Sequence, residues 1–327
     1  MEKPVLEVKN LTTHFTSRAG IGKAVNGVSF SLKAGEIMGL VGESGSGKSM
    51  TGFSIMGLID APGKIVDGSV RLNGRELVGI GEEQMRSIRG NKIAMIFQDP
   101  MMTLNPVLRI DTQMVETVLA HQNVSTAMAL QIACNALRRV GIPSAGERLS
   151  CYPHQFSGGM RQRVAIAIAM LNNPELIICD EPTTALDVTI QSQILSEMQK
   201  LCKESGTALI WITHDLSVVA GLADSVSVMY AGRIVESGTV REVIESPRHP
   251  YTHGLLGCAP SRNVRGRPMQ QIPGMTPQLL QLPSGCAFRD RCARASELCR
   301  VAPHLVHAGQ GHEYRCFHPM ENTREAA

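Results

Sequence analysis

The 327-residue sequence has no apolar run approaching the ~20 residues a helix needs to cross a bilayer. Its opening stretch, MEKPVLEVKN, holds no apolar signal core. An integral membrane protein and an exported disulfide scaffold are therefore both disfavoured. Charge of one sign is also scarce. Lys and Arg number 32 against 29 Asp and Glu, and a net +3 is too little to argue for a nucleic-acid partner. Cysteine is sparse over most of the chain: five of the nine lie singly before residue 260, as small buried apolar residues do. What is present suits a globular chain. Hydrophobic residues make up 43%, ample for a core and too many for a disordered chain. The length exceeds one module of ~100–200 residues, so two or three units are expected.

The composition changes near residue 245. Cys286, Cys292, Cys299 and Cys316 fall within 31 residues. Nine of the 17 prolines lie in the 82 residues after Glu245. That tail holds 10 Lys and Arg against 5 Asp and Glu, so the whole basic excess sits there.

Glu36–Val41 (EIMGLV) reads as a short buried strand. It runs into Gly42-Glu43-Ser44-Gly45-Ser46-Gly47-Lys48-Ser49, the G-x-x-x-x-G-K-[ST] spacing. The glycines let the backbone curl so that its N–H groups face one point. Lys48 adds positive charge there, and Ser49 offers a hydroxyl to Mg²⁺. Met50 to Leu58 is apolar enough to be the helix whose N-terminus completes an anion site. A second apolar strand, Leu176–Cys179, ends in Asp180-Glu181-Pro182. Ligands of open α/β sheets bind at the carboxyl ends of the strands, where Asp180 would hold Mg²⁺ and Glu181 would polarise a water. The plainer reading of two adjacent acids is a solvated strand end; the phosphate loop upstream favours the catalytic one.

Phe156-Ser157-Gly158-Gly159-Met160-Arg161-Gln162 precedes Met160–Leu171, a helix apolar almost all round and stopped by Asn172-Asn173-Pro174. Ser157 is an N-cap candidate. Two glycines and a basic Arg161 at an uncovered helix start suggest a second phosphate-binding surface.

In order and spacing these motifs resemble the ATP-binding subunits of ABC transporters, over about residues 5–320. The resemblance makes Gly42–Ser49 a Walker A loop and ends Walker B at Asp180. It casts Glu181 as the catalytic carboxylate and Ser157-Gly158-Gly159 as the signature. Gln98 in IFQDP matches the Q-loop, Ala185-Leu186-Asp187 the D-loop, His214 in WITHD the switch histidine, and Phe15 the aromatic that stacks on adenine. It implies the cofactors ATP and Mg²⁺, the metal held by Ser49, Gln98 and Asp180. The residues agree with these roles. Ile93–Gln98 is an apolar strand ending in a carboxamide that can reach Mg²⁺ or the attacking water. Leu209–Thr213 is another, ending at His214, which can bond the γ-phosphate and orient Glu181, or else have its own ring oriented by Asp215. There are departures. Met50 stands where Thr or Ser often follows the Walker A hydroxyl residue, and Met160 where the signature usually has Gln. Phe15 has no phenolic hydroxyl.

The implied fold is α/β: a RecA-like P-loop ATPase core with an antiparallel β subdomain, over 1–98 and 173–245. A helical subdomain with the signature covers 99–172, with helices expected at Thr112–His121 and Thr126–Val140. A cysteine-rich C-terminal extension covers 246–327. In the family two ATPase subunits face head to tail, each ATP lying between one subunit's Walker A and the other's signature.

Ser246-Pro247-Arg248-His249-Pro250-Tyr251-Thr252 and the later GCAFRDRC resemble the dipeptide and oligopeptide permease branch, whose pattern nickel importers share. The resemblance implies ATP hydrolysis driving solute import at the cytoplasmic face of the inner membrane. Its partners would be two permease subunits, a second homologous ATPase (different rather than identical) and an extracytoplasmic solute-binding protein. The competing classes are a soluble ABC ATPase of repair or translation and a nonhydrolytic regulatory module. Paired cassettes or a long coiled-coil insertion would mark the former, and neither is visible.

Four tail thiols could bind a [4Fe–4S] cluster, a zinc ion or no metal. Zinc sites usually contain a C-x2–4-C pair, which the tail lacks. Four thiolates suit a cluster, and members of this importer branch carry one in this region. Arg289, Arg291, Arg294 and Arg300 lie among the cysteines and would offset its charge, or else form a solvated face.

Overall fold

The computed structural model describes residues 3–184, 186–259, 263, 270–309 and 311–321. Ala185 of the expected D-loop lies outside the described residues. The strands are, in order, β1 (Leu6–Ser17), β2 (Gly20–Leu32), β3 (Ile37–Val41), β4 (Gly63–Leu72), β5 (Arg75–Glu76) and β6 (Ile93–Ile96). They continue with β7 (Leu176–Asp180), β8 (Ala208–Thr213), β9 (Ser225–Tyr230), β10 (Arg233–Thr239), β11 (Val306–His307) and β12 (Glu313–Tyr314). The chain forms two compact units, and it passes from one to the other within β8.

The first unit comprises Met1–Val5, Lys33–Glu36 and Gly79–Ile210. Its strands run β8-β7-β6. β6 and β7 are parallel, in register from Ile93 opposite Leu176 to Ile96 opposite Cys179. Every residue of β6 and β7 is buried. Such uninterrupted apolar runs are what a parallel sheet covered on both faces requires. Helices Ile110–Leu119, Thr126–Arg139 and Gly158–Met170 belong to the same unit. The first buries Ile110, Met114 and Val118, and the second Ala129, Ala133 and Leu137. Each set recurs every four residues and makes one apolar stripe. Asn172, just past the third helix, binds three segments: its Nδ2 donates to the Gly90 (2.8 Å) and Thr117 (3.3 Å) carbonyls, and its Oδ1 accepts from Gln122 (2.7 Å). Arg163 joins the Val140 carbonyl (2.7 Å) to Glu197 (2.5 Å).

The second unit comprises Leu6–Leu32, Ile37–Val78 and Trp211–Ala327. One sheet is antiparallel, in the order β2-β1-β4-β5. The other runs β11-β12-β10-β9-β3, with β3 and β9 parallel and the remaining pairs antiparallel. β12 pairs with β10, Tyr314 opposite Glu236, so the tail extends this sheet and the change of composition at 245 does not end the unit. Buried Glu236 explains the attachment. Its carboxylate accepts from the backbone N–H groups of Arg248 (2.6 Å) and His249 (2.8 Å), and it bonds His312 Nε2 (2.8 Å). His249 in turn caps helix Pro250–Gly257, its Nδ1 accepting from the Tyr251 N–H. Burial pushes the His249 imidazole down to about 4, so it is neutral. Trp211, the only tryptophan, is buried in β8, its Nε1 without a hydrogen-bond partner among the described residues. Among the described residues no helix is long and apolar enough to cross a membrane.

Candidate functional site

β3 is buried throughout and delivers the chain to Gly42. A Cβ on Gly42 would lie 2.2 Å from the Met229 carbonyl oxygen, and one on Gly47 2.2 Å from that of Ala24. Gly47 also has φ 101°, in the region only glycine adopts without strain. The loop is thus pressed onto the end of β9 and the backbone of β2 at Ala24, and Gly232 N–H fastens it further at the Ser46 carbonyl (2.8 Å). The Lys48 ammonium is buried inside it, donating to the Gly42 (2.7 Å) and Glu43 (3.0 Å) carbonyls. Ser46 Oγ is buried without a hydrogen-bond partner among the described residues. Helix Lys48–Met56 starts two residues earlier than expected, and no side chain caps it. A buried cation beneath open backbone donors is the chemistry a polyphosphate needs. In the same unit Phe15 lies half-buried on β1 against Gly63, where a Cβ would come within 2.6 Å of its ring. His214 is exposed just beyond β8. Asp215, the alternative ring partner, caps helix Leu216–Leu222 with Oδ1, which accepts from Ser217 N–H (2.8 Å) and Oγ (2.6 Å).

The first unit holds the remaining motif residues. Since β6 and β7 are parallel neighbours, Gln98 and Asp180-Glu181 leave the same edge of the sheet. Asp180 is buried, while Gln98 is exposed. Glu181 has φ 47°, a left-handed conformation uncommon for a residue with a side chain and concentrated at functional sites. Its Oε2 accepts from Thr184 Oγ1 (3.2 Å). Ser157 caps helix Gly158–Met170, its Oγ accepting from Met160 N–H (3.3 Å), and Ser157 and Gly158 are exposed. Gly159 packs on Ile190, where a Cβ would come to 2.8 Å, so the signature turn sits against the helix that follows Asp187. Arg161 does not add its charge to that turn as expected. It donates instead to the carbonyls of Pro153 (2.9 Å) and His154 (3.4 Å).

Sequence reasoning missed a connection between the tail and the phosphate loop. Arg291 forms a two-pronged ion pair with Glu43, at 2.6 and 3.0 Å, and its Nε donates to the Pro273 carbonyl. Thr276 Oγ1 also donates to Glu43 (3.1 Å), and the Glu43 N–H donates to the Tyr251 hydroxyl (2.8 Å). The Arg291 guanidinium holds the Glu43 carboxyl below its ordinary range. Behind the pair, Tyr230, Tyr251 and Phe288 form an aromatic cluster with centroids 4.6–5.3 Å apart. The two tail motifs therefore have packing explanations. SPRHPYT supplies the His249 cap and the Tyr251 hydroxyl, and GCAFRDRC supplies Phe288 and Arg291.

Cys286, Cys292, Cys299 and Cys316 line one cavity of ≈ 10 Å³, room for about one water. Burial pushes the Cys286 and Cys292 thiols up and that of Cys316 up to about 11. All nine cysteines are free thiols. Among the described residues no three or more His, Cys, Asp or Glu side chains are arranged to hold a metal ion, so the expected metal centre is not formed here. The donor set fits a thiolate-bound group; the space requires the thiols to draw apart for one. Of the arginines expected to offset its charge, Arg289 and Arg294 do line the cavity. Arg291 is engaged by Glu43 and Arg300 by Glu297 (2.9 Å).

Comparison with known proteins places these features in a family. A family profile described as ABC transporter matches residues 25–184, and one described as Oligopeptide/dipeptide transporter, C-terminal region, matches 235–299. The oligopeptide transport ATP-binding protein OppD of Escherichia coli (strain K12) is 50% identical over 97% of this chain and 94% of its own length. The probable D,D-dipeptide transport ATP-binding protein DdpD of the same organism is 47% identical over 99% of both chains. Among solved structures, the dimeric post-hydrolysis state of the ATP-binding cassette MJ0796 bound to ADP and Pi is similar at TM-score 0.65. It is 28% identical, covering 72% of this chain and 99% of that one. A buried lysine in a glycine-walled loop, acids at a parallel sheet edge and this likeness along the whole length have one explanation: the chain belongs to the ABC transporter family, as an ATP-hydrolysing subunit.

Proposed function

We propose that this chain powers the import of di- or oligopeptides through a pair of membrane permeases, by ATP-driven closure of a head-to-tail dimer of ATPase subunits. The observation that carries the reading is the tail. A segment matching the oligopeptide/dipeptide C-terminal region reaches the phosphate loop itself through Arg291 and Tyr251. That region's description names oligopeptide and dipeptide transport, which favours transport over a soluble ATPase of repair or translation.

In this reading the Gly42–Ser49 backbone and Lys48 hold the phosphates, and Phe15 stacks on adenine. Ser49, Asp180 and Gln98 hold Mg²⁺, which offsets charge on the phosphoryl oxygens. Glu181 accepts a proton from the attacking water, and His214 holds the γ-phosphate edge. Ser157-Gly158-Gly159 and Asp187 of one subunit close over the nucleotide of the other. Closure is favoured only while ATP is whole, which is how a ligand with unequal affinity for two states does work. The second ATPase is a related but different chain. The complex sits at the cytoplasmic face of the inner membrane, with a solute-binding protein outside. The four tail cysteines hold a [4Fe–4S] cluster, supported by their convergence on one cavity; a zinc ion is the alternative occupant.

Glu181→Gln tests the ATPase assignment. Its turnover should fall by about two orders of magnitude or more while ATP stays bound in a trapped dimer. Turnover at the wild-type rate would remove Glu181 from the mechanism. Peptide uptake into vesicles holding the permeases tests the transport reading, since a soluble ATPase would give none.

A further inference from the structure

A second cavity, of ≈ 400 Å³, lies in the second unit and has no part in the ATP site described above. Its volume is within the range of small-molecule pockets, roughly 300–1,000 Å³. Lys23, Arg233 and Arg315 all line it, and no acidic residue does. Among the described residues none of the three makes a side-chain hydrogen bond or a close ion pair, although the Glu313 carboxylate offsets part of the charge on Arg315. Glu313, beside Arg315 in the chain, is paired with His307 (2.9 Å). Arg315 is half-buried, and the same cavity is lined by the apolar side chains of Leu279, Leu280 and Leu282. Lys23 and Arg233 are exposed and keep their hydration, whereas Arg315 loses part of its own and is repelled by Arg233, a cost that an anion seated between them would relieve.

We propose that this cavity binds a small amphipathic anion, with a carboxylate or phosphate head on Lys23, Arg233 and Arg315 and an apolar body against the leucines. Both halves of that description are needed. A bare inorganic anion would leave the leucine wall wet, and a neutral apolar molecule would leave the cations without a partner. The cavity shares His249, Cys286, Phe288 and Pro303 with the four-cysteine cavity, and Tyr230 and Phe288 separate it from Arg291. An occupant therefore stands one layer of side chains from the Glu43 clamp on the phosphate loop. The proposal does not depend on what the chain transports.

The test is calorimetric titration of the full chain with octanoate and with octyl phosphate, beside octanol, inorganic phosphate and vesicles of anionic phospholipid. One octanoate or octyl phosphate should bind per chain, at least roughly tenfold more tightly than octanol or inorganic phosphate. Arg233→Gln with Arg315→Gln should weaken that binding by roughly tenfold or more, as should the separate change Leu280→Asp at the exposed part of the wall. Unchanged nucleotide affinity and thermal midpoint in these variants would show that they fold. Absence of binding at millimolar ligand, equal binding of octanol, full binding by the double variant, or binding to vesicles alone would each overturn the proposal.

Discussion

Glu43 occupies a position in the phosphate loop where the motif itself demands no particular side chain, yet three side chains converge on it through four hydrogen bonds. Arg291→Ala should therefore raise the KM for ATP by about tenfold while changing kcat much less, because the loop loses its position and the chemistry keeps its groups. Arg291→Lys should recover only part of the loss, since an ammonium cannot form the two-pronged pair. Steady-state ATPase kinetics decide this, and an unaltered KM would reduce the clamp to packing. The same pair sets a pH dependence. The Glu43 carboxyl lies below its usual 4.5 when folded, so its contribution is complete above that value and is lost as pH falls through the lowered one. The gap in thermal midpoint between wild type and Glu43→Gln should accordingly be full at neutral pH and close in acid. None of this was legible in the sequence, because Glu43 and Arg291 stand 248 positions apart and neither belongs to a pattern the other completes.

Elements were far more legible than their connections. The buried strands announce themselves as apolar runs, and β3, β6, β7 and β8 fall within two residues of where the sequence puts them. The expected helices at 112–121 and 126–140 are found at Ile110–Leu119 and Thr126–Arg139. Ser157 caps its helix as its position suggested, whereas Arg161 turns to carbonyls that precede it by a 3₁₀ turn no periodicity reveals. Two glycines show what holds elements together. At Gly159 a Cβ meets the branch methyl of Ile190, a single side chain that can turn or shift, so Gly159→Ala should cost about 1 kcal/mol and Ile190→Ala should restore it. At Gly285 (φ 84°) a Cβ would lie 2.4 Å from the Cys299 carbonyl, which cannot yield. Gly285→Ala should thus cost about 2–3 kcal/mol and open the cysteine cavity. Chemical denaturation of the two variants side by side would check the order.

For the whole molecule, the site of chemistry was readable as a set of motifs because each is short and local, but its attachment to the tail was not. Composition separates the tail at 245, whereas Glu236, β12 and Arg291 join it to the same unit as the phosphate loop. Metal content is the measurement that belongs to this scale. Protein purified without oxygen should hold about four irons and four sulfides per chain, and Cys316→Ser should lose them. One zinc would make the tail a structural clip; neither metal would leave the four thiols as packing. Removal of the cluster should then speed proteolysis between residues 286 and 316, because these loops would lose the four cross-links that the metal supplies. The solitary indole offers a separate probe of the same unit. Trp211 is the chain's only strong fluorophore, sealed in apolar surroundings just ahead of His214. Its emission is therefore a built-in optical gauge of that strand, readable in the isolated chain without attaching a dye.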